Sequence, residues 1–156
     1  DNDLSKTEET RKVIEDMVDG LNDHDIDRMD RFFAGSFRWI GNAGCGTKTG
    51  LKEFQDNWQR PFQAAFGDKV CTDEARLAEG EWMAAFGHQR AKHIGEFMGI
   101  APTGKEVEIR YMDFWKVQDG KIVDNYVMVD FPHVMRQLGL DPFNGKGWDD
   151  QFDPKN

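Results

Sequence analysis

The sequence predicts an α+β fold in which helices come first and a strongly curved, mixed or antiparallel sheet follows. Three observations predict it. Val13, Ile14, Met17, Val18 and Leu21 recur at one-turn intervals, the mark of an amphipathic helix. Beyond Gly67 the chain turns to three long β-like segments, at about 70–78, 81–98 and 106–131. The last is broken by Asp119-Gly120, and an Asp-Gly pair between alternating runs is the strongest short-range hairpin signal.

Each element has its own signal. Ser5, Lys6, Thr7 and Glu8 have the spacing of a capping box, which starts a first helix of about four turns. Asp27 is an N-cap candidate for a short second helix through Phe33, and Gly35 is placed to end it. Phe37, Arg38, Trp39 and Ile40 read as a strand, followed by a loop marked by Gly41, Gly44, Gly46 and Gly50. A third helix is expected over 51–66, apolar at Leu51, Phe54, Trp58 and Phe62 and kinked or split by Pro61. The three helices are expected to close over the concave side of the sheet. After the sheet comes a short helix over 132–138 with a stop at Gly139, then a tail without clear period.

At 156 residues the chain has the size of one domain, taken as 1–156 with a core over about 5–140 and a tail over 141–156. With 38% apolar residues, five Trp and twelve Phe, burial can offset the entropy of ordering, which excludes a disordered chain. The net charge of -9, without a basic run, excludes nucleic acid and anionic membrane as expected partners. Cys45 and Cys71 belong to no CxxC or Cys/His cluster and read as reduced thiols in a reducing compartment. No stretch approaches about 18 apolar residues, and the start Asp1-Asn2-Asp3 is the opposite of a signal peptide's basic region. The expected location is therefore the cytoplasm. His24, His88, His93 and His133 show neither HxH nor HxxxH spacing, and the glycines at 41–50 match no phosphate loop, so neither metal nor cofactor is expected.

If Asp119 and Gly120 are the two turn residues, Gln118 faces Lys121 and the same register runs down the whole hairpin. It places Tyr111, Asp113 and Trp115 on one face with Ile122, Asp124, Tyr126, Met128 and Asp130, and sets Asp113 opposite Tyr126. The other face carries Arg110, Met112, Phe114 and Lys116 beside Val123, Asn125, Val127 and Val129. That face is too apolar to be solvated throughout and reads as the interface of a homodimer.

A carboxyl inside an aromatic stripe loses hydration, its pKa rises towards neutrality, and it can then move protons at working pH. Asp113 is on this ground the catalytic acid/base candidate; the alternative is an ionised Asp113, held by a Tyr or His, that only fixes the sheet. His93, on a neighbouring strand, is the candidate helper that orients Asp113 or polarises a carbonyl, or else a hydrogen-bonded structural residue. Trp39, Trp58, Tyr111, Trp115 and Tyr126, with Met128 and Asp130, are candidates to contact a small hydrophobic substrate, and Trp82 joins the same aromatic set. For Asp130, just ahead of Pro132, a helix cap competes with the pocket role, and Asp124 reads as a solvated rim.

Two segments then narrow the reading. Lys92-His93-Ile94-Gly95-Glu96-Phe97-Met98-Gly99-Ile100-Ala101-Pro102-Thr103-Gly104-Lys105 closely resembles the THtGefmGipPTGK segment of the SnoaL-like polyketide (ester) cyclases. Asp113-Phe114-Trp115-Lys116-Val117-Gln118-Asp119-Gly120-Lys121-Ile122-Val123-Asp124 resembles their DiwRvxDGKIvE hairpin. Gln137-Leu138-Gly139, Trp39, Gly50 and Arg60-Pro61-Phe62 are similar too, so the resemblance spans roughly residues 5–140. The order of elements looks like the nuclear transport factor 2-like cone, a cystatin-like roll. The resemblance implies an intramolecular aldol ring closure on a polyketide ester without metal or cofactor, with Asp113 as the matching aspartate and His93 as its helper. Lys92, Asp124 and Tyr126 stand where the family usually has Thr, Glu and Trp, departures expected at the pocket mouth.

The working expectation is that Asp113 takes a proton alpha to a carbonyl and returns it to the new alkoxide, while His93 and Tyr126 stabilise charge on oxygen. The same scaffold leaves two alternatives open. One is an isomerase, or a hydrolase of a small apolar ester, lactone or epoxide; the other is a non-catalytic carrier of a small hydrophobic ligand.

Overall fold

The computed structural model describes residues 4–22 and 26–149; the Asp1-Asn2-Asp3 start, His24, the side chain of Asp27 and the last residues of the tail lie outside that description. In chain order come α1 (Leu4–Asn22), a 3-10 segment (Ile26–Phe32), β1 (Phe33–Gly41), β2 (Thr47–Thr49), α2 (Leu51–Phe54) and α3 (Arg60–Ala65). Then follow β3 (Phe66–Glu79), β4 (Trp82–His93), β5 (Glu106–Gln118), β6 (Lys121–Val129) and α4 (Phe131–Gln137). One six-stranded sheet has the order β2-β1-β6-β5-β4-β3, parallel only between β1 and β6. No helix among the described residues is long and apolar enough to cross a membrane.

The predicted stripe of α1 is the one it buries: Ile14 and Met17 enter the core, with Val13, Val18 and Leu21 packed against it. Thr10 donates to the Gly80 carbonyl at 2.6 Å and the Gly80 N–H donates to Thr7 at 2.9 Å, which pins the helix to the β3–β4 turn. The helix is already under way at Leu4, so Ser5 lies within its first turn and is not its N-cap. The expected helix over 51–66 is split by a π-helical turn at Gln55–Gln59, directly ahead of Pro61, which has no N–H to bond one turn back.

Three expected boundaries move. β1 starts at Phe33, which pairs with Ile122, so Gly35 lies inside the strand instead of ending a helix. β2 forms inside the expected glycine loop because Thr47–Thr49 pairs antiparallel with β1. β4 stops at His93, five residues before the expected end at 98, because the N–H groups of Ile94 and Gly95 both turn to the Ala65 carbonyl (2.8 and 3.1 Å).

The hairpin turn is as expected, with positive φ at Asp119 (51°) and Gly120 (72°), but its register holds for only two pairs. Gln118 faces Lys121 and Val117 faces Ile122; then Val123 bulges out, Lys116 faces Asp124 and Asp113 faces Val127. A slip of one residue turns every following side chain to the opposite face. Asn125, Val127 and Val129 are therefore buried on the concave side, whereas Tyr126 and Met128 point outwards. Hydrophobic burial accounts for the bulge: the apolar residues of β6 change parity between Ile122 and Val127, and only an extra residue lets both sides of the change reach the core.

Candidate active site

The concave face places Asp113 between Tyr111 and Trp115, with Ala85 beside it on β4 and Val127 on β6. Neither strand neighbour offers a polar group. Among the described residues, one side-chain donor reaches the carboxyl: Nδ2 of Asn125, at 3.2 Å from Oδ1. Burial pushes the Asp113 carboxyl up to about 7; the Asn125 hydrogen bond opposes the rise, and the negative charge of Asp73 adds to it.

Asp73 comes into range through a glycine. It lies opposite Gly87, which lies opposite Tyr111, and a Cβ on Gly87 would sit 2.0 Å from the Thr72 carbonyl oxygen. Across this bare lane the Tyr111 hydroxyl donates to Asp73 Oδ1 and lies 2.9 Å from Cys71 Sγ, while Arg76 Nε donates to Asp73 Oδ2 at 2.7 Å. Burial, followed by the hydrogen bonds to Asp73 and Cys71, pushes the Tyr111 phenol far above its ordinary range, so it remains a donor. Burial likewise raises the Cys71 thiol.

An aromatic run extends along the same concave side. Trp39 stacks on Trp58 at 4.9 Å and Trp58 on Phe62 at 4.9 Å; Phe62 then meets Phe66 (5.2 Å), which meets His93 (5.4 Å). Tyr111, Trp115, Trp39 and Trp58 thus lie on the side of the sheet that carries Asp113.

The other expected site residues do not join them. His93 is buried, but its Nδ1 accepts the Thr103 N–H at 3.1 Å, and it stands eight positions along β4 from Ala85, about 26 Å of strand. It neither bonds nor orients Asp113, whose partner is Asn125. Tyr126 (42% exposed) and Met128 (63%) lie on the outer face because of the bulge, and Trp82 is there too, 6.2 Å from Tyr126. Asp130 caps α4 by accepting the His133 N–H at 3.2 Å and pairs with Arg110 at 2.7 Å. Asp124 pairs with Arg38 (2.9 and 3.1 Å) on the outer face. With Lys92 exposed, the three departures from the family pattern fall on the outer side of the sheet. That side holds a shallow groove of about 410 Å³, lined by Phe86, Arg110, Met112 and Met128 among others.

The family model of the SnoaL-like polyketide cyclases matches residues 11–138. The chain belongs to this family. Over 136 residues it is 29% identical to the nogalonic acid methyl ester cyclase of Streptomyces nogalater, covering 85% of this chain and 98% of that protein. Over 84 residues it is 31% identical to the aklanonic acid methyl ester cyclase AcmA of Streptomyces galilaeus, covering 50% of this chain and 58% of that one. Among solved structures it superposes on the polyketide-cyclase-like protein IdmH of Streptomyces antibioticus with a TM-score of 0.70 at 25% identity, covering 84% of this chain and 99% of IdmH.

In this SnoaL-like chain the sequence reading missed Asn125, Asp73 and the approach of Cys71 to Tyr111. Asn125 was legible in principle, since the parity change between Ile122 and Val127 announces a bulge. Asp73 was not, because its approach to Tyr111 depends on a glycine of the intervening strand β4, through two strand registers that no local spacing records.

Proposed function

We propose that this SnoaL-like chain is an acid/base enzyme that closes a ring by intramolecular aldol addition on a hydrophobic polyketide ester, drawing on no cofactor. Asp113 carries the reading: a carboxyl on an aromatic concave face, with a pKa raised to about 7, populates both proton states near neutrality. The Asp113 carboxylate takes the proton alpha to a carbonyl, the enolate carbon bonds to a second carbonyl of the same molecule, and the Asp113 carboxylic acid returns the proton to the new alkoxide. No atom is lost. Trp39, Trp58, Tyr111 and Trp115 orient the substrate and exclude water, and Asn125 holds the carboxyl in place.

The names of the curated relatives make a polyketide acid methyl ester the substrate class to try first. The test is to incubate the protein with nogalonic acid methyl ester and follow ring closure chromatographically, with Asp113→Asn as the comparison. Undiminished conversion by Asp113→Asn would remove the residue from the mechanism.

A second reading draws on one specific observation: Asp113 has further polar company in Asn125, Tyr111 and Asp73, enough to hold a water. It is hydrolysis of a small epoxide, lactone or ester, and incorporation of oxygen-18 from solvent water into the product separates it from ring closure. We also propose that the outer face pairs with a second copy. Phe86, Met112, Phe114 and Met128 are all exposed there, more apolar area than a lone sheet face ordinarily leaves in water. The free thiols of Cys45 and Cys71 support a cytoplasmic location.

A further inference from the structure

Beside the Tyr111–Asp73 bridge, the concave face holds a cation that the chemistry at Asp113 leaves unused. Arg76 faces Ala85 in the β3–β4 pairing and Ala85 faces Asp113 in the β4–β5 pairing, so the three share one row across the sheet. Ala85 contributes a single methyl to that row. Two strand spacings, about 10 Å, separate the backbones of Asp113 and Arg76, a span that a fused aromatic substrate covers. The neighbouring row crosses Gly87, and there Tyr111 donates to Asp73. The Ala85 row thus has a carboxyl at one end, a guanidinium at the other and a hydrogen-bonded bridge along its side.

Arg76 is held, but only in part. Its Nε donates at 2.7 Å to Oδ2 of Asp73, whose Oδ1 takes the Tyr111 hydroxyl. Asp73 divides its two oxygens between Tyr111 and Arg76 and so cannot be the two-pronged partner that a guanidinium usually takes. The Nε contact fixes the plane of the guanidinium and uses one of its five N–H donors. Among the described residues nothing bonds Nη1 or Nη2, and the side chain is 37% exposed, so the outer fork is open to a ligand. An oriented guanidinium with a free fork binds anionic oxygen through charge-assisted hydrogen bonds.

We propose that Arg76 is a substrate anchor, whose Nη1 and Nη2 hold an acidic oxygen at one edge of a flat aromatic substrate that lies across Ala85 and meets Asp113 at its reacting carbon. Asp73 is a positioning residue that aims the fork. The anchor rests on the concave face being the substrate site, and it deepens that reading by fixing the substrate's direction, acidic edge at β3 and reacting carbon at β5.

The test is equilibrium binding, read by tryptophan fluorescence, of 9,10-anthraquinone-2-carboxylate against its neutral analogue 2-methylanthraquinone. A parallel arm uses 2-hydroxyanthraquinone above its ionisation, which tells a phenolate from a carboxylate ligand. The wild-type protein is expected to bind at least one anion about tenfold more tightly than the neutral compound. Arg76→Gln should lose that preference while keeping the neutral affinity and the melting temperature, and Arg76→Lys, which keeps the charge without the planar fork, should restore part of it. Absence of any anion preference in the wild type, or its survival in Arg76→Gln, overturns the anchor. Asp113→Asn separates the two readings, since it should keep the anion preference while losing turnover; an active Asp113→Asn with an Arg76-dependent preference would sink the catalytic reading alone.

Discussion

On the outer face of the β5–β6 hairpin, Asp124 meets Arg38 through two hydrogen bonds of 2.9 and 3.1 Å, and Asp130 meets Arg110 at 2.7 Å. On the concave face of the same hairpin, Asp113 meets an amide at 3.2 Å and, among the described residues, no cation. The three side chains are chemically identical, and their surroundings divide the work. A guanidinium satisfies a carboxylate and removes any reason for it to take a proton. An aromatic face with one amide leaves the charge poorly compensated, and the carboxyl holds its proton up to about pH 7. The bulge at Val123 makes the division, because without it Asp124 would point inwards beside Asp113.

The largest break in this comparison is made by neutralising the inner carboxyl. Asp113→Asn keeps the hydrogen bond geometry but cannot take or give the proton, and turnover is expected to fall by roughly 10²–10⁴-fold. Steady-state rates on the methyl ester substrate, beside an unchanged circular dichroism spectrum, check this. Next comes Gly87→Ala. A Cβ placed 2.0 Å from the Thr72 carbonyl must push β3 and β4 apart, at a cost of about 2–3 kcal/mol, and so lower Tm by about 5–10 °C. A melt within about 1 °C of wild type would show that the lane between Tyr111 and Asp73 is not held by this contact.

The same Asp113→Asn variant should gain stability where it loses activity. With an ordinary value of 3.8 and a folded value of about 7, the unfolded carboxyl gives up its proton between about pH 4 and pH 7 while the folded one keeps it. The folded state then binds more protons, so stability falls as pH rises through that window and stays at its lower level above it. Full burial would make the loss about 4 kcal/mol; with Asp113 only partly buried, about 2 kcal/mol is expected. Urea unfolding at pH 5 and pH 8 should show the slope in wild type and its disappearance in the variant.

The contrast between the faces also shows how far the sequence could be read. Local signals placed the first and last helices, the long strands and the Asp119-Gly120 turn, because periodicity and turn chemistry are properties of neighbouring residues. Asp113 was legible since it shares a strand with Tyr111 and Trp115. Tyr126 and Met128 were assigned to the wrong face by a single unpaired residue, Val123, because strict alternation was carried through a strand whose apolar residues change parity. His93 was linked to Asp113 through strand adjacency and the family resemblance, but distance along β4 separates them, and Thr103, ten residues on, lends its N–H to His93 Nδ1. The group that does act on Asp113 from afar, Asp73, arrives through registers two strands wide.

That long-range influence gives the next prediction. The Asp73 charge raises the Asp113 pKa, so Asp73→Asn should lower it and shift the rising limb of kcat/KM, expected near pH 7 in wild type, to lower pH. Asp73→Glu should restore the wild-type limb. A limb that stays in place in Asp73→Asn would mean that Asp113 owes its proton affinity to burial alone.

The smallest effect is expected on the outer face, where the comparison is sharpened by how little happens. Arg38 is half exposed and Asp124 is 15% exposed, so the pair works largely in water, and side-chain ordering and salt screening offset most of its attraction. Arg38→Gln and Asp124→Asn should each barely move the thermal melt, and the double variant no more than their sum, in a double-mutant cycle. Neither should move the pH profile of turnover, because Asp124 faces away from Asp113 across the sheet. A shifted profile in Asp124→Asn would mean that the two faces are electrically coupled through β6, and that isolation of Asp113 from paired charge does not set its proton affinity.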